Sequence, residues 1–174
     1  ARRSGRPRSS RTEGPRAPHP SRTGPAIVSE IDKRIIEHLQ QDGRRPFTQI
    51  AADLGLSESA VRARTNRLVE QGIVQIVGVT DPLKLGFAQM AMIGIRCEPR
   101  KLMEVAERIA AFPEVDYVVI TAGRYDILIE TVHEDNEALL RFLSEKLRTV
   151  DGVAETETFV YLRLVKQTYQ WGTR

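Results

Sequence analysis

The 174-residue sequence predicts an α+β protein with a helix-turn-helix at its N-terminal end and a ferredoxin-like βαββαβ domain at its C-terminal end. Three observations lead to this prediction. Apolar residues recur at helical spacing from residue 29 to residue 71, they change to the alternation of strands after Gly72, and from residue 87 the predicted elements follow the order β-α-β-β-α-β. The length allows two small domains.

Charge is distributed unevenly along the chain. Residues 1–25 carry seven Arg against one Glu, residues 26–80 are balanced, and residues 81–174 carry twelve basic against fifteen acidic residues. The first segment is also rich in Pro, Ser and Gly and has no large aliphatic residue, so we predict that residues 1–26 form a disordered Arg-rich arm. Its arginines suit DNA phosphates, and the composition is equally compatible with a solvated leader.

Composition excludes several classes of protein and site. A single cysteine, Cys97, cannot form an internal disulfide or a multi-cysteine zinc site, which favours a reducing, cytoplasmic location. No apolar run approaches the ~20 residues that cross a bilayer, so we expect no membrane partner. The histidines, His19, His38 and His133, lie far apart, and no nucleotide-binding glycine loop occurs. We therefore expect no metal, no cofactor and no catalytic site.

Residues 27–74 are predicted to form the helix-turn-helix domain. The first helix begins with a capping box, in which Ser29 is followed three residues later by Asp32. Only Gly55 and Leu56 separate the second helix from Ser57, the N-cap of the third, and this matches the short turn of the motif. The predicted helices run from Ser29 to Asp42, from about Pro46 to Gly55 and from Ser57 to about Gln71.

The third predicted helix has an apolar and a polar face. At ~100° per residue, four side chains turn toward the first two helices: Val61, Thr65, Leu68 and Val69. The opposite face combines small residues, an amide and a guanidinium, which can read base edges, and its flanking arginines suit phosphates. We predict DNA contacts from Ser57, Ser59, Arg62, Ala63, Arg64, Asn66 and Arg67. A solvated face of a purely structural three-helix bundle is the alternative.

The C-terminal elements follow a strand-like linker. Alternation from Ile73 to Thr80 and a turn at Asp81-Pro82 predict a strand linker over residues 75–86. Residues 87–168 form the predicted ferredoxin-like domain, and residues 169–174 form a tail. The predicted strands cover residues 87–96, 115–122, 126–133 and 153 to about 166, with helices near 102–109 and 139–147.

Short motifs occur in a characteristic order between residues 29 and 168. They are IDKRII at 31–36, DGR at 42–44, IA at 50–51, GLSESAVRAR at 55–64, LVEQGIV at 68–74, DP at 81–82, LG at 85–86, GRYD at 123–126 and FV at 159–160. Their order and spacing together resemble the Lrp/AsnC family of feast/famine transcriptional regulators. A weaker similarity, which no particular residue carries, is to the actinobacterial regulators of alanine dehydrogenase.

The resemblance implies an architecture and a set of partners. It implies a winged helix-turn-helix that binds double-stranded DNA, a strand linker, and a ferredoxin-like domain that dimerises through its sheet. Family dimers assemble further, into octamers or related rings, and bind amino-acid effectors between dimers. A loop like Gly123 to Asp126 borders that effector pocket, although Arg124 stands where the family often has an acidic or polar residue.

The loop offers the chemistry that a free amino acid requires. Backbone N–H groups near Gly123, or the Arg124 guanidinium, could hold a carboxylate, and Asp126 or a loop carbonyl could hold an ammonium group. The predicted effector site comprises Thr121, Gly123, Arg124, Tyr125, Asp126 and Asn136. The alternative is that Gly123 only supplies a positive φ for a tight hairpin, with Arg124 and Asp126 as a solvated pair.

These patterns are compatible with three functions, and they argue against a fourth, RNA binding. The first is a sequence-specific transcriptional regulator whose assembly or DNA affinity depends on an amino-acid effector. The second is an architectural DNA-binding protein without an effector, and the third is a regulatory subunit of a metabolic enzyme. An RNA-binding sheet requires exposed aromatic residues on its central strands, whereas the strands at 115–122 and 126–133 are largely aliphatic.

Overall fold

A computed structural model describes residues 28–168 and residue 172 of the chain. The predicted arm at 1–26 and all but one residue of the predicted tail lie outside the described residues. The chain divides into two compact units, one containing the described residues up to Val77 and the other running from Gly78 to Thr168. Among the described residues, no helix is both long and apolar enough to cross a membrane.

The first unit contains three helices, α1 (Glu30–Gln41), α2 (Phe47–Leu54) and α3 (Glu58–Glu70). The Ser29 hydroxyl and the Asp32 side chain form the predicted capping box at the start of α1. Gly55, with a φ of 65°, ends α2 in the left-handed region, where glycine is favoured. Side chains from all three helices form one core: Ile35, Leu39, Ile50, Ala51 and Val61. The helix-turn-helix prediction is confirmed.

The strand predicted for the linker is not formed. Residues 74–81 have no regular structure, and they are followed by a short 3-10 helix at Pro82–Leu85 that Asp81 caps. A strand requires the backbone groups of a neighbouring strand, and nothing in the described part of this single chain pairs with the linker. Residues 73–81 also form no strand of a wing in this single chain. Ile76, Val77 and Val79 are each at least half exposed.

The second unit is an antiparallel sheet with helices between its strands. Its elements are β1 (Gln89–Cys97), α4 (Leu102–Ala110), β2 (Val115–Ile120), β3 (Ile127–His133), α5 (Asn136–Arg141) and β4 (Val153–Val160). A π-helical segment, Phe142–Lys146, and a 3-10 turn, Leu147–Thr149, continue α5. The strand order β2-β3-β1-β4 and the antiparallel pairing confirm the ferredoxin-like prediction. β4 ends at Val160, earlier than predicted.

The two faces of this sheet differ in what covers them. Ile93 and Ile129 pair across β1 and β3 and point into a core formed with α4, α5 and the segment that continues α5. We call the other side the open face. It presents the apolar side chains of Met92, Leu128 and Phe159, of which Phe159 is 44% exposed, and it also carries the carboxylates of Glu130 and Glu157. A sheet with helices on one face leaves its second face available for another surface.

Candidate DNA-reading surface and effector pocket

The third helix places its two faces as the sequence predicts, with one exception. Val61, Thr65 and Leu68 are buried, and the predicted reading side, Ser59, Ala63 and Asn66, is exposed. Val69, predicted to point inward, is 45% exposed because it lies at the edge of the apolar stripe in the last turn of α3. The exposed strip is narrow, and its small side chains allow close approach of a duplex.

A buried carboxylate joins α3 to the start of α1. Asp32 is only 2% exposed; its Oδ1 accepts a hydrogen bond from Arg64 at 3.0 Å, and its Oδ2 accepts one from Arg67 at 2.9 Å. The Ser29 hydroxyl also donates to Oδ2, at 2.7 Å. We call this group the Asp32 clamp. It ties two partly exposed guanidinium groups, which were predicted to contact DNA, to the start of α1, so Arg64 and Arg67 do not project freely.

The surroundings of Asp32 favour its negatively charged form. Burial raises the pKa of Asp32, but the hydrogen bonds from Ser29 and Arg64 and the positive charge of Arg67 outweigh that effect, and the net pKa lies below its usual value of 3.8. Asp32 therefore remains a carboxylate at neutral pH. Because a buried carboxylate with several donors resists protonation, the clamp holds the orientation of α3 relative to α1 across the physiological pH range.

The other predicted DNA contacts have different surroundings. The Ser57 hydroxyl caps α3 by accepting from the Ala60 N–H at 3.2 Å, and it lies 3.0 Å from the Ser59 hydroxyl. Arg62 pairs with Glu58 at 2.5 Å and lies over the Phe47 ring. Both members of that ion pair are well exposed, so a phosphate can displace Glu58. The Asn66 amide has no partner among the described residues.

The loop at 121–126 is closed by hydrogen bonds between its ends. The Thr121 N–H donates to the Asp126 carbonyl at 2.9 Å, and the Thr121 hydroxyl donates to the Tyr125 carbonyl. A third hydrogen bond, from the Asp126 N–H to the Ile95 carbonyl at 2.9 Å, joins the loop to β1. Gly123 does not adopt a positive φ, so the alternative in which it serves only as a left-handed hairpin residue is wrong.

Asp126 has a structural contact that the sequence did not predict. Its Oδ2 accepts the Cys97 N–H at 2.8 Å, at the bulge where the register of β1 shifts between Arg96 and Cys97. Burial, followed by the negative charge of Asp126, raises the pKa of the Cys97 thiol. Asp126 therefore stabilises the sheet edge beside the loop, and only part of its carboxylate is available to a ligand.

Tyr125 lies against a glycine in the middle of β1. A Cβ atom at Gly94 would lie 2.6 Å from Cγ and Cδ2 of the Tyr125 ring, closer than carbon atoms approach without displacement. The ring also meets Phe159 edge-on at 6.2 Å between centroids. Gly94 is a functional candidate that our sequence reasoning missed, although an isolated glycine within a strand is a known signal of close approach. Because Gly94 has no side chain, the Tyr125 ring can lie against β1 on the open face.

A cavity of about 610 Å³ adjoins the loop. Two predicted effector residues, Arg124 and Tyr125, line it, together with side chains from β1, β4 and the turn before β4. These include Arg96, Arg148, Glu155 and Glu157. The predicted carboxylate-binding group and several groups of both charges are therefore brought to one place, and Thr121, Gly123 and Asp126 shape the loop beside it.

Asn136 is not part of this cavity. It is the first residue of α5, which follows the C-terminal end of β3, whereas the loop precedes the N-terminal end of the same strand. At about 3.3 Å per residue, the seven residues of β3 separate the two positions by roughly 20 Å. The prediction that Asn136 completes the wall of the pocket is wrong within one chain, because sequence spacing does not tell which end of a strand a residue occupies.

Comparison with known proteins matches both units. An AsnC-type helix-turn-helix domain matches residues 28–69, and an Lrp/AsnC ligand-binding domain matches residues 90–171. An HTH-type transcriptional regulator of Pyrococcus horikoshii is 38% identical over 143 residues, covering 82% of this chain and 90% of that relative. LrpA of the same organism is 36% identical over 141 residues, covering 80% of this chain and all of the relative.

Solved structures agree with this match. Escherichia coli AsnC superposes with a TM-score of 0.75 over 81% of this chain and 96% of that chain at 24% identity, which supports the fold. A feast or famine regulatory protein from Mycobacterium tuberculosis, complexed with L-methionine, gives a TM-score of 0.76 at 26% identity over 82% of this chain and 97% of that chain. The chain therefore belongs to the Lrp/AsnC family and is a transcriptional regulator rather than an enzyme.

Proposed function

We propose that this regulator reads a specific DNA sequence through α3 and that an amino acid bound beside the 121–126 loop changes its assembly or its DNA affinity. The observation that supports the DNA-reading role is the exposed strip of Ser59, Ala63 and Asn66, in which the Asn66 amide has no partner among the described residues. An asparagine amide can donate to and accept from adenine in the major groove, and the small residues beside it allow the necessary approach.

The cavity beside the loop supports the effector role. It brings guanidinium and carboxylate groups to one place, and a free amino acid requires both, since its carboxylate accepts and its ammonium donates. The relative from M. tuberculosis is complexed with L-methionine. A ligand at this position shifts an equilibrium only through different affinities for two states, and such coupling is typically ~1 to 3 kcal/mol. An architectural protein without an effector would bind no amino acid.

Replacing Asn66 with Ala tests the DNA-reading surface. We expect the variant to lose about 1 to 3 kcal/mol of binding free energy at its operator and to retain its affinity for unrelated DNA, because a base contact supplies discrimination rather than general attraction. The operator is first selected from a random DNA library, and affinities are then measured by fluorescence anisotropy. Glu37→Ala, an exposed change on α1, is the control. Equal operator affinity for Asn66→Ala and wild type would contradict the proposal that this strip of α3 reads the DNA.

The open face supports self-association, and we propose a dimer formed through it, with larger assemblies built from dimers. Met92→Glu should produce monomers, because it places a second carboxylate directly opposite Glu130 on this half-buried face. Met103→Glu is the matched control, since Met103 lies on α4 and is 58% exposed. Light scattering of the full chain measures the mass. A wild-type monomer, or a Met92→Glu variant that remains a dimer, contradicts the proposal.

Two further proposals concern the N-terminal segment and the location of the chain. The seven arginines of residues 1–25 suit DNA phosphates, so we propose that this segment adds non-specific affinity. A regulator that acts on bacterial or archaeal DNA works in the cytoplasm, which is the location that we propose for this chain.

A further inference from the structure

The cavity beside the 121–126 loop, which we call the effector cavity, has more positively than negatively charged side chains on its walls. Guanidinium groups of Arg96, Arg124 and Arg148 line it, against carboxylates of Glu155 and Glu157. The segment from residue 81 to residue 174 has the opposite balance, with twelve basic and fifteen acidic residues. The excess of positive charge is therefore local to the cavity and does not follow from the charge of the surrounding unit.

Ion pairs within the cavity leave one guanidinium without a counter-charge. Arg96 lies 3.4 Å from a Glu155 oxygen, and Arg124 lies 3.7 Å from a Glu157 oxygen. All four of these side chains are at least 45% exposed, and exposed pairs are weak, so a ligand can displace either partner. Arg148 has no hydrogen bond or ion pair with any residue that the structure describes.

The charged groups of an amino-acid ligand can be matched to the charged side chains that line the cavity. One guanidinium and one carboxylate satisfy the α-carboxylate and the α-ammonium, because guanidinium groups only donate and carboxylates only accept. Arg148 is exposed, so a ligand with a neutral side chain leaves its guanidinium in contact with water alone. A ligand with a side-chain carboxylate balances it, and a guanidinium binds a carboxylate in a two-point, charge-assisted contact. Arg124, which lies over the Tyr125 ring, stands on the loop side of the same cavity.

Building on the amino-acid effector proposed above, we propose that the effector is an acidic amino acid, L-glutamate or L-aspartate. Arg148 is the residue that selects its side-chain carboxylate. The proposal depends on the charges that the fold brings together at this cavity. It names the class of ligand, whereas the proposed function requires only that some amino acid binds.

Titration calorimetry of the full chain against two isosteric pairs tests this selectivity. L-Glutamate is compared with L-glutamine, and L-aspartate with L-asparagine, at fixed pH and ionic strength. We expect the acid to bind at least tenfold more tightly than its amide in at least one pair. Arg148→Gln should reduce that ratio to within threefold. Arg108→Gln, which removes a guanidinium from the last turn of α4 outside the cavity, should leave the ratio unchanged.

The possible outcomes separate this inference from the proposed function. If an amide or another neutral amino acid binds as tightly as the acids, the acidic effector is overturned and the amino-acid effector remains. If none of the twenty amino acids binds, both are overturned. If the acids are preferred but Arg148→Gln keeps the full preference, the role of Arg148 is wrong. A preference that disappears in Arg148→Gln and persists in Arg108→Gln supports the whole proposal.

Discussion

Replacing Asp32 with Ala is expected to weaken operator binding at least tenfold and to destabilise the helix-turn-helix unit by about 2 kcal/mol. The change removes two charge-assisted hydrogen bonds, from Arg64 and Arg67, together with the capping box of α1. The loss is smaller than for a fully buried ion pair because these arginine side chains are 32% and 49% exposed and can bind water instead. Without the clamp, α3 is held to α1 by the apolar core alone.

Hydrogen exchange at the amides of α1 and α3 measures this loss in the full chain, where a single unfolding transition is not assured for two units. Asp53→Ala is a matched control, since it also removes a carboxylate paired with an arginine, Arg45 at 2.6 Å, but one that is 40% exposed. We expect it to cost less than ~1 kcal/mol. Unchanged exchange and unchanged operator affinity in Asp32→Ala would show that the clamp does not position α3.

Acid provides a second test of the same clamp. The folded-state pKa of Asp32 is lowered, so its contribution to stability is complete well above 3.8 and is lost as the pH falls through the lower, folded value. The difference in exchange protection between wild type and Asp32→Ala should therefore be full at neutral pH and shrink below pH 3.8.

Replacing Gly94 with Ala is expected to weaken effector binding at least tenfold while operator affinity stays within about twofold. The new methyl group would lie 2.6 Å from the Tyr125 ring, so the ring must leave its place and the loop must move with it. Overpacking of this kind typically costs ~1 to 3 kcal/mol. Helix α3 belongs to the first compact unit and Gly94 to the second, so we expect operator affinity not to depend on this change.

A double-mutant cycle shows whether the ring mediates this effect. In a Tyr125→Ala background the ring that the added methyl group would meet is absent, so Gly94→Ala should have little further effect on effector affinity. Gly78→Ala is the control, because a Cβ there meets no atom within 4 Å. Calorimetry with the amino acid that binds wild type provides the affinities. Additive losses from Gly94→Ala and Tyr125→Ala would mean that the glycine acts by another route.

Local patterns were sufficient to predict most of the fold. Helix caps, glycine stops and the change from helical to alternating spacing predict three helices followed by βαββαβ, and these elements are present. The strand of the linker was predicted wrongly because alternation indicates only that a segment can pair. Whether it does pair depends on a partner that its own sequence does not contain.

The site could be predicted less completely, because its main contacts join residues far apart in sequence. Asp32 meets Arg64 and Arg67 across 32 and 35 positions, and charge alone does not show which arginines a carboxylate will hold. Asp126 was assigned to a ligand from the chemistry of its loop, but its contact with the Cys97 backbone depends on the bulge in β1. Sequence identifies the loop, and the tertiary contacts determine what each side chain in it can do.

The strand order also determines when each unit can fold during synthesis. Ile93 of β1 pairs with Ile129 on one side and with Thr158 of β4 on the other, so the centre of the sheet is completed only by the last strand to be made. Closing such a long loop is slow, and until it closes one edge of β1 has unpaired backbone groups that favour aggregation. The three helices of the first unit have no such requirement. During translation, the three N-terminal helices can therefore fold before the sheet is complete.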